Sequence, residues 1–171
     1  MANTNMVLIG MPGAGKSTAG VLLAKALRRP FLDTDLLIQT REDRYLQEII
    51  NRDGIETFLD IEARAICSLD VEHFVIATGG SVVYRPRAMA HLQANGLVLY
   101  LAYGYDTIAQ RLTNITTRGV VRHPAQSLRD LYQERQPLYA HYADVTIDAE
   151  GLTLEETVAC LAEMLREREH C

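Results

Sequence analysis

The sequence has no run of apolar residues approaching the roughly 20 needed to span a bilayer, so no membrane-spanning helix is expected. It also lacks any Lys/Arg block with interleaved aromatics, and its formal charge is −5 with a pI near 5.5. That composition excludes a broad nucleic-acid-binding face and requires an anionic ligand to be captured locally. Cysteine is scarce: Cys67, Cys160 and Cys171 are odd in number and have no C-x-x-C spacing, which indicates neither a disulfide framework nor a zinc site. No basic segment precedes the apolar Met6-Val7-Leu8-Ile9, so no signal peptide and a cytoplasmic location are expected. Repeats, low-complexity tracts and Pro/Gly/Ser-rich linkers are absent too, and 171 residues suit a single domain, 1–171, with a substantial core.

What is present begins at Gly10. Gly10-Met11-Pro12-Gly13-Ala14-Gly15-Lys16-Ser17 fits the phosphate-binding loop G-x-x-x-x-G-K-[ST]. The apolar Met6–Ile9 ahead of it reads as a buried strand, and Lys16–Leu27 behind it has the apolar spacing of a helix. In that context the loop's backbone N–H groups face phosphate oxygens, Lys16 reaches the β/γ-phosphates, and the Ser17 hydroxyl is available to Mg²⁺. The positive end of the helix dipole faces the same phosphates. The ligand this implies is a nucleoside triphosphate, ATP in the first instance.

Along the rest of the chain strand and helix alternate, which predicts an α/β fold: a doubly wound, five-stranded parallel sheet with helices on both faces. Strands are expected near Met6–Ile9, Phe31–Asp33, Phe74–Ala77, Leu97–Leu101 and Val145–Asp148. Capping-box patterns at Ser127 with Asp130, and at Thr153 with Glu156, mark the starts of two late helices. The long polar connection Ile115–Gln126 joins two helical patterns and is expected to be a mobile lid carrying Arg118.

Phosphoryl transfer needs charge neutralisation and positioning, which directs attention to carboxylates, arginines and close-approach glycines. Asp33 and Asp35 fall at the carboxyl end of the second strand, the edge where doubly wound sheets bind ligands. Asp33 is expected to hold Mg²⁺ with Ser17, and Asp35 to orient an acceptor hydroxyl, either taking its proton as base or only holding it in place. The bland alternative is that Thr34 or Asp35 caps the next helix. Gly79-Gly80-Ser81 follows the strand Phe74–Ala77 and suits a turn that lets backbone approach a ligand. Arg111, Arg118 and Arg135 are candidate cations for the transferring phosphoryl group and its acceptor.

In this order, the phosphate loop, Leu32-Asp33-Thr34-Asp35, Gly79-Gly80, the Arg111 to Arg118 segment and Arg135-Gln136-Pro137-Leu138-Tyr139 resemble the shikimate kinase family over nearly the whole chain. The resemblance implies a small P-loop kinase with the nucleoside-monophosphate-kinase type of fold, active in amino-acid biosynthesis. It implies ATP on Gly13, Ala14, Gly15, Lys16, Ser17 and Thr18 with adenine-side packing at Arg111, and Mg²⁺ near Ser17 and Asp33. Catalytic roles fall to Lys16, Asp35 and a lid arginine, Arg118. Acceptor contacts fall to Asp35, Gly79, Gly80, Ser81, Arg135 and the position of Leu59. The partner is a small hydroxylated molecule, and a monomer is expected.

Two departures bear on that acceptor. The family's G-E-x-x-F-R motif, whose Arg pairs with the carboxylate of shikimate, reads Gly54-Ile55-Glu56-Thr57-Phe58-Leu59 here, and the third glycine of its Gly-Gly-Gly turn is Ser81. An aliphatic side chain cannot replace a bidentate Arg–carboxylate contact worth about 1.5–3 kcal/mol. Shikimate is the family's default acceptor, and the changed pocket points as well to another small alcohol such as homoserine or a gluconate-type sugar acid. A nucleoside-monophosphate kinase fits the Asp33-Thr34-Asp35 element less well. A non-catalytic ATP-binding switch would have little need for Asp35, Arg118 and Arg135.

Overall fold

The computed structural model describes residues 4–112 and 120–169. Five parallel strands form one sheet: β1 Asn5–Ile9, β2 Phe31–Asp33, β3 Val75–Ala77, β4 Gly96–Ala102 and β5 Val145–Asp148, in the order β2-β3-β1-β4-β5. The central strand β1 pairs with β3 through Met6↔Val75 and with β4 through Met6↔Leu97. Its five residues are all buried, as a strand covered on both faces requires.

The helices are α1 Lys16–Leu27, α2 Thr34–Glu42, α3 Leu46–Asp53, α4 Ile55–Cys67, α5 Pro86–Asn95, α6 Tyr105–Arg111, α7 Leu128–Tyr142 and α8 Leu154–Glu169. Local signals set several of their ends. Ser127 Oγ accepts the N–H of Asp130 at 3.1 Å, and the Asp130 carboxylate accepts the N–H of Ser127 at 3.0 Å. The Thr153–Glu156 pair closes in the same reciprocal way. A short 3₁₀ turn over Val82–Tyr84 separates the Gly79-Gly80 turn from α5, an element the apolar pattern does not announce.

Two apolar clusters result. The larger one lies along the sheet and takes in Leu8, Leu23, Ile76, Leu99 and Tyr139. The smaller one sits among α2, α3 and α4 around Ile38, Ile49, Phe58, Leu59 and Val121. The strand order makes the chain leave the two sides of β1 in opposite directions. The carboxyl ends of β1, β2 and β3 therefore open into one crevice, the place where such sheets hold ligands.

Candidate functional site

A cavity of about 630 Å³ occupies that crevice. The loop after β1 forms one wall. Gly15 takes a left-handed conformation (φ 79°, ψ 23°) as the residue before α1, and no side chain caps the helix. The first N–H groups of α1 are thus left to an anion. Gly13, also left-handed at φ 83°, leaves no room for a side chain beside Leu112, whose Cγ lies 3.0 Å from where a Cβ would stand. Gly13, Gly15, Lys16, Ser17 and Thr18 line the cavity. Ala14, expected with them, is fully buried and does not line the cavity.

Lys16 Nζ donates to the carbonyls of Gly10 (2.8 Å) and Met11 (2.9 Å). Burial lowers its pKa to about 8, opposed by the nearby Asp35 carboxylate. Ser17 Oγ donates to Asp33 Oδ2 at 2.6 Å. Asp33 does not share a strand face with Asp35, because the chain stops being extended after Asp33. Instead Asp33 is itself the helix cap, with Oδ1 accepting the N–H groups of Asp35 (2.9 Å) and Leu36 (3.3 Å). The capping residue is therefore Asp33, and neither Thr34 nor Asp35. That cap turns Asp35 into the cavity. Its Oδ1 is buried without a hydrogen-bond partner among the described residues, and burial together with the Asp33 charge raises its pKa to about 6.

The Gly79-Gly80 turn forms the facing wall. Neither glycine has a positive φ, so close approach and not backbone strain accounts for them. A Cβ on Gly79 would lie 2.7 Å from Glu62 Oε1 and 2.8 Å from Asp35 Oδ1, and one on Gly80 2.7 Å from Pro12 and 3.1 Å from Arg135 Nη1. Tyr139 fixes the turn by donating to the Gly80 carbonyl at 2.6 Å, and Thr78 by donating to the Leu8 carbonyl at 2.9 Å. Arg135 is 1% exposed. Its Nε donates to Tyr84 Oη at 3.0 Å and its Nη2 to the Val121 carbonyl, which leaves Nη1 toward Gly80. Tyr84 in turn donates to Glu134.

Arg111 lines the cavity beside Gly13, whose carbonyl accepts from its Nη1 at 3.4 Å, its guanidinium stacked 4.1 Å from the centre of the Tyr103 ring. Arg118 and the first part of the expected lid lie outside the described residues. Of the lid's remainder, Val120 and Val121 line the cavity. Leu59 does not. It is 4% exposed in the smaller apolar cluster and faces a separate cavity of about 140 Å³ with Ile55, Tyr84 and Val121. The i, i+4 stripe of α4 that buries Phe58 and Ile66 also explains Leu59, which continues that apolar face.

The same stripe contains the residue that motif reading misses. Glu62 is 1% exposed and accepts the Ser81 hydroxyl, at 2.9 and 3.1 Å from its two oxygens. Its signal in the sequence is a lone acid four residues after Phe58 on an otherwise apolar helical face. Burial, with the Asp35 charge nearby, pushes its pKa up to about 8. Tyr139, which holds Gly80, closes the Arg135–Tyr139 motif, whereas Tyr84, which holds Arg135, carries no comparable signal.

Comparison with known proteins agrees with this arrangement. The shikimate kinase family model matches residues 12–166. A shikimate kinase of Thermodesulfovibrio yellowstonii is 39% identical over 155 residues, 89% of each chain. Among solved structures, shikimate kinase from Acinetobacter baumannii in complex with shikimate superposes with a TM-score of 0.84 at 28% identity, covering 96% of this chain and 94% of that one. The Aquifex aeolicus shikimate kinase gives 0.81 at 25% identity, over 97% and 98%. The chain belongs to the shikimate kinase family, ATP-dependent phosphotransferases that act on a hydroxyl group.

Proposed function

We propose that this protein transfers the γ-phosphoryl group of ATP to a hydroxyl of shikimate. The observation that carries this reading is Asp35, which lines the same cavity as Lys16 and Arg135 and has a buried Oδ1 without a hydrogen-bond partner among the described residues. An acceptor hydroxyl hydrogen-bonded to Asp35 would face the phosphates over α1. Asp35, at a pKa of about 6, is mostly ionised at neutral pH and so able to draw on the hydroxyl proton as the new O–P bond forms. Lys16 exchanges its carbonyl partners for phosphate oxygens and neutralises charge that develops on them. The acceptor's carboxylate falls to Arg135 Nη1, the guanidinium nitrogen turned toward Gly80.

Ser17 and Asp33 would hold Mg²⁺. A hydroxyl 2.6 Å from a carboxylate is a hard-oxygen pair suited to that ion. The ion would take its remaining ligands from phosphates and water. When bound, the ion supplies charge neutralisation across the β- and γ-phosphates.

The test is ADP release with ATP, Mg²⁺ and shikimate, with homoserine and gluconate as comparison acceptors. Shikimate-dependent turnover that falls about 100- to 10,000-fold in Asp35→Asn, with ATP affinity nearly unchanged, is the expected result. Turnover of homoserine or gluconate in preference to shikimate would overturn the assignment.

A further inference from the structure

Two side-chain hydroxyls of the Gly79-Gly80 turn line the cavity, those of Thr78 and Ser81. The Thr78 hydroxyl is spent on the Leu8 carbonyl. Ser81 differs, because its partner is the buried carboxyl of Glu62, which does not line the cavity itself. Its backbone (φ −89°, ψ −6°) is open to any residue, so no strain calls for a glycine here. Glu62 forms no ion pair with any described residue. The charged groups around it are Asp35 from α2, Lys16 from α1 and Arg135 from α7.

A serine hydroxyl has one proton to give. If Glu62 were ionised it would claim that proton, and Ser81 would offer the cavity lone pairs alone. If Glu62 is neutral, its own O–H donates to Ser81 Oγ, and the Ser81 proton is free to point at a ligand. Burial favours the neutral form near pH 7. The donor so released stands next to Gly80, against which Arg135 Nη1 lies, while Leu59 contributes nothing to this cavity.

We propose that Ser81 is a specificity-determining hydrogen-bond donor to the acceptor's carboxylate, alongside Arg135, and that Glu62 is a positioning residue that acts through it. This inference rests on the acceptor being a hydroxylated carboxylate, as read above. It accounts for Ser81 and Leu59 together: Leu59 has no group to offer an anion, and the Ser81 hydroxyl supplies one from the facing wall of the cavity.

Steady-state kinetics with shikimate and ATP test it. Ser81→Ala should raise the shikimate KM about tenfold, the loss of one hydrogen bond to a charged group, while the ATP KM stays within about twofold. Glu62→Gln keeps the shape, neutrality and donor of the neutral acid, so its shikimate KM at pH 7 should match wild type within about threefold. Between about pH 7 and 9 the wild-type shikimate KM should climb as Glu62 ionises and reclaims the Ser81 proton, and Glu62→Gln should remove that climb. Lys16 titrates in the same range and feels the Glu62 charge, so its effect is read separately, in the ATP KM of each variant. An unchanged shikimate KM in Ser81→Ala, or a climb that persists in Glu62→Gln, overturns this inference while leaving the activity standing. Absence of shikimate-dependent ADP release from wild type overturns both.

Discussion

Asp33 accepts the backbone N–H of Asp35 at 2.9 Å through Oδ1, and the Ser17 hydroxyl at 2.6 Å through Oδ2. One carboxylate thus starts α2, ties α2 to the first turn of α1, and fixes where Asp35 stands relative to the phosphate loop. Removing it should have separable consequences. Asp33→Ala should lower the unfolding free energy by about 1 kcal/mol, the usual worth of a side-chain cap. Asp33→Asn should retain most of the cap yet raise the Mg²⁺ concentration needed for half-maximal turnover. Urea unfolding and Mg²⁺ titration of the two variants check this, and an unaltered Mg²⁺ requirement in both would remove Asp33 from the metal site.

Lys16 is a buried cation bonded to two loop carbonyls, an arrangement that awaits an anion. Lys16→Met should reduce turnover about 100- to 1,000-fold, as expected for loss of one preorganised charge at the transferring group. The rise in melting temperature that ATP gives wild type should shrink in the variant, since ligand stabilisation scales with affinity for the folded state. Thermal unfolding with and without ATP measures it.

How much of this is legible in the sequence varies with the physics involved. The strands β2 and β5 are placed to the residue, because turn-forming or helix-starting residues bound short apolar runs. The P-loop is legible because its chemistry needs fixed residue types at fixed spacing. The geometry of Asp33 and Asp35 is not: one residue's difference in where the strand ends decides whether the two carboxylates share a face or whether one caps the other's helix. Glu62 and Ser81 meet across 19 positions in the chain, and Arg135 and Tyr84 across 51. Neither pair has a local pattern to betray it. Leu59 stands out in the sequence as a departure from a motif, yet its surroundings depend on how α4 packs against α3 and Val121.

Glu62 also sets a pH dependence of stability in the unliganded protein. Its folded pKa of about 8 lies above the ordinary value of 4.5, so between those limits the native state binds more protons than the unfolded one. The stability this group contributes is fully present below about pH 4.5 and is lost as the pH rises through about 8. Asp35, raised to about 6, loses its own contribution earlier, and Lys16 remains charged in both states until about pH 8. From about pH 6.5 to 7.5 the loss is therefore mainly that of Glu62, with a slope approaching 1.4 kcal/mol per pH unit at most. Glu62→Gln should flatten the profile in that window. Denaturant unfolding at closely spaced pH values checks it, and parallel profiles for the two proteins would mean that Glu62 is ionised in the native state.

Leu59→Arg restores the residue that the family motif carries, and motif reading alone would expect it to improve shikimate binding. The structure predicts the opposite. Leu59 is packed with Phe58, Ile49 and Val121 and faces the smaller cavity, so a guanidinium there would either be buried among apolar side chains or be drawn toward Glu56 and Glu134 on that cavity's rim. The first outcome buries a charge whose near acid on the helix, Glu62, is already bonded to Ser81, at a cost of several kcal/mol. The second displaces the Tyr84–Glu134 contact that helps to hold Arg135. Either way the variant should unfold at lower urea, and its shikimate KM should stay the same or rise. A lower shikimate KM at unchanged stability would show instead that the side chain at position 59 reaches the acceptor. Adding Ile55→Glu should recover part of the stability by giving the guanidinium a partner one helical turn away, without lowering the KM, because the pair would form beside the smaller cavity and leave Arg135 and Ser81 to meet the acceptor.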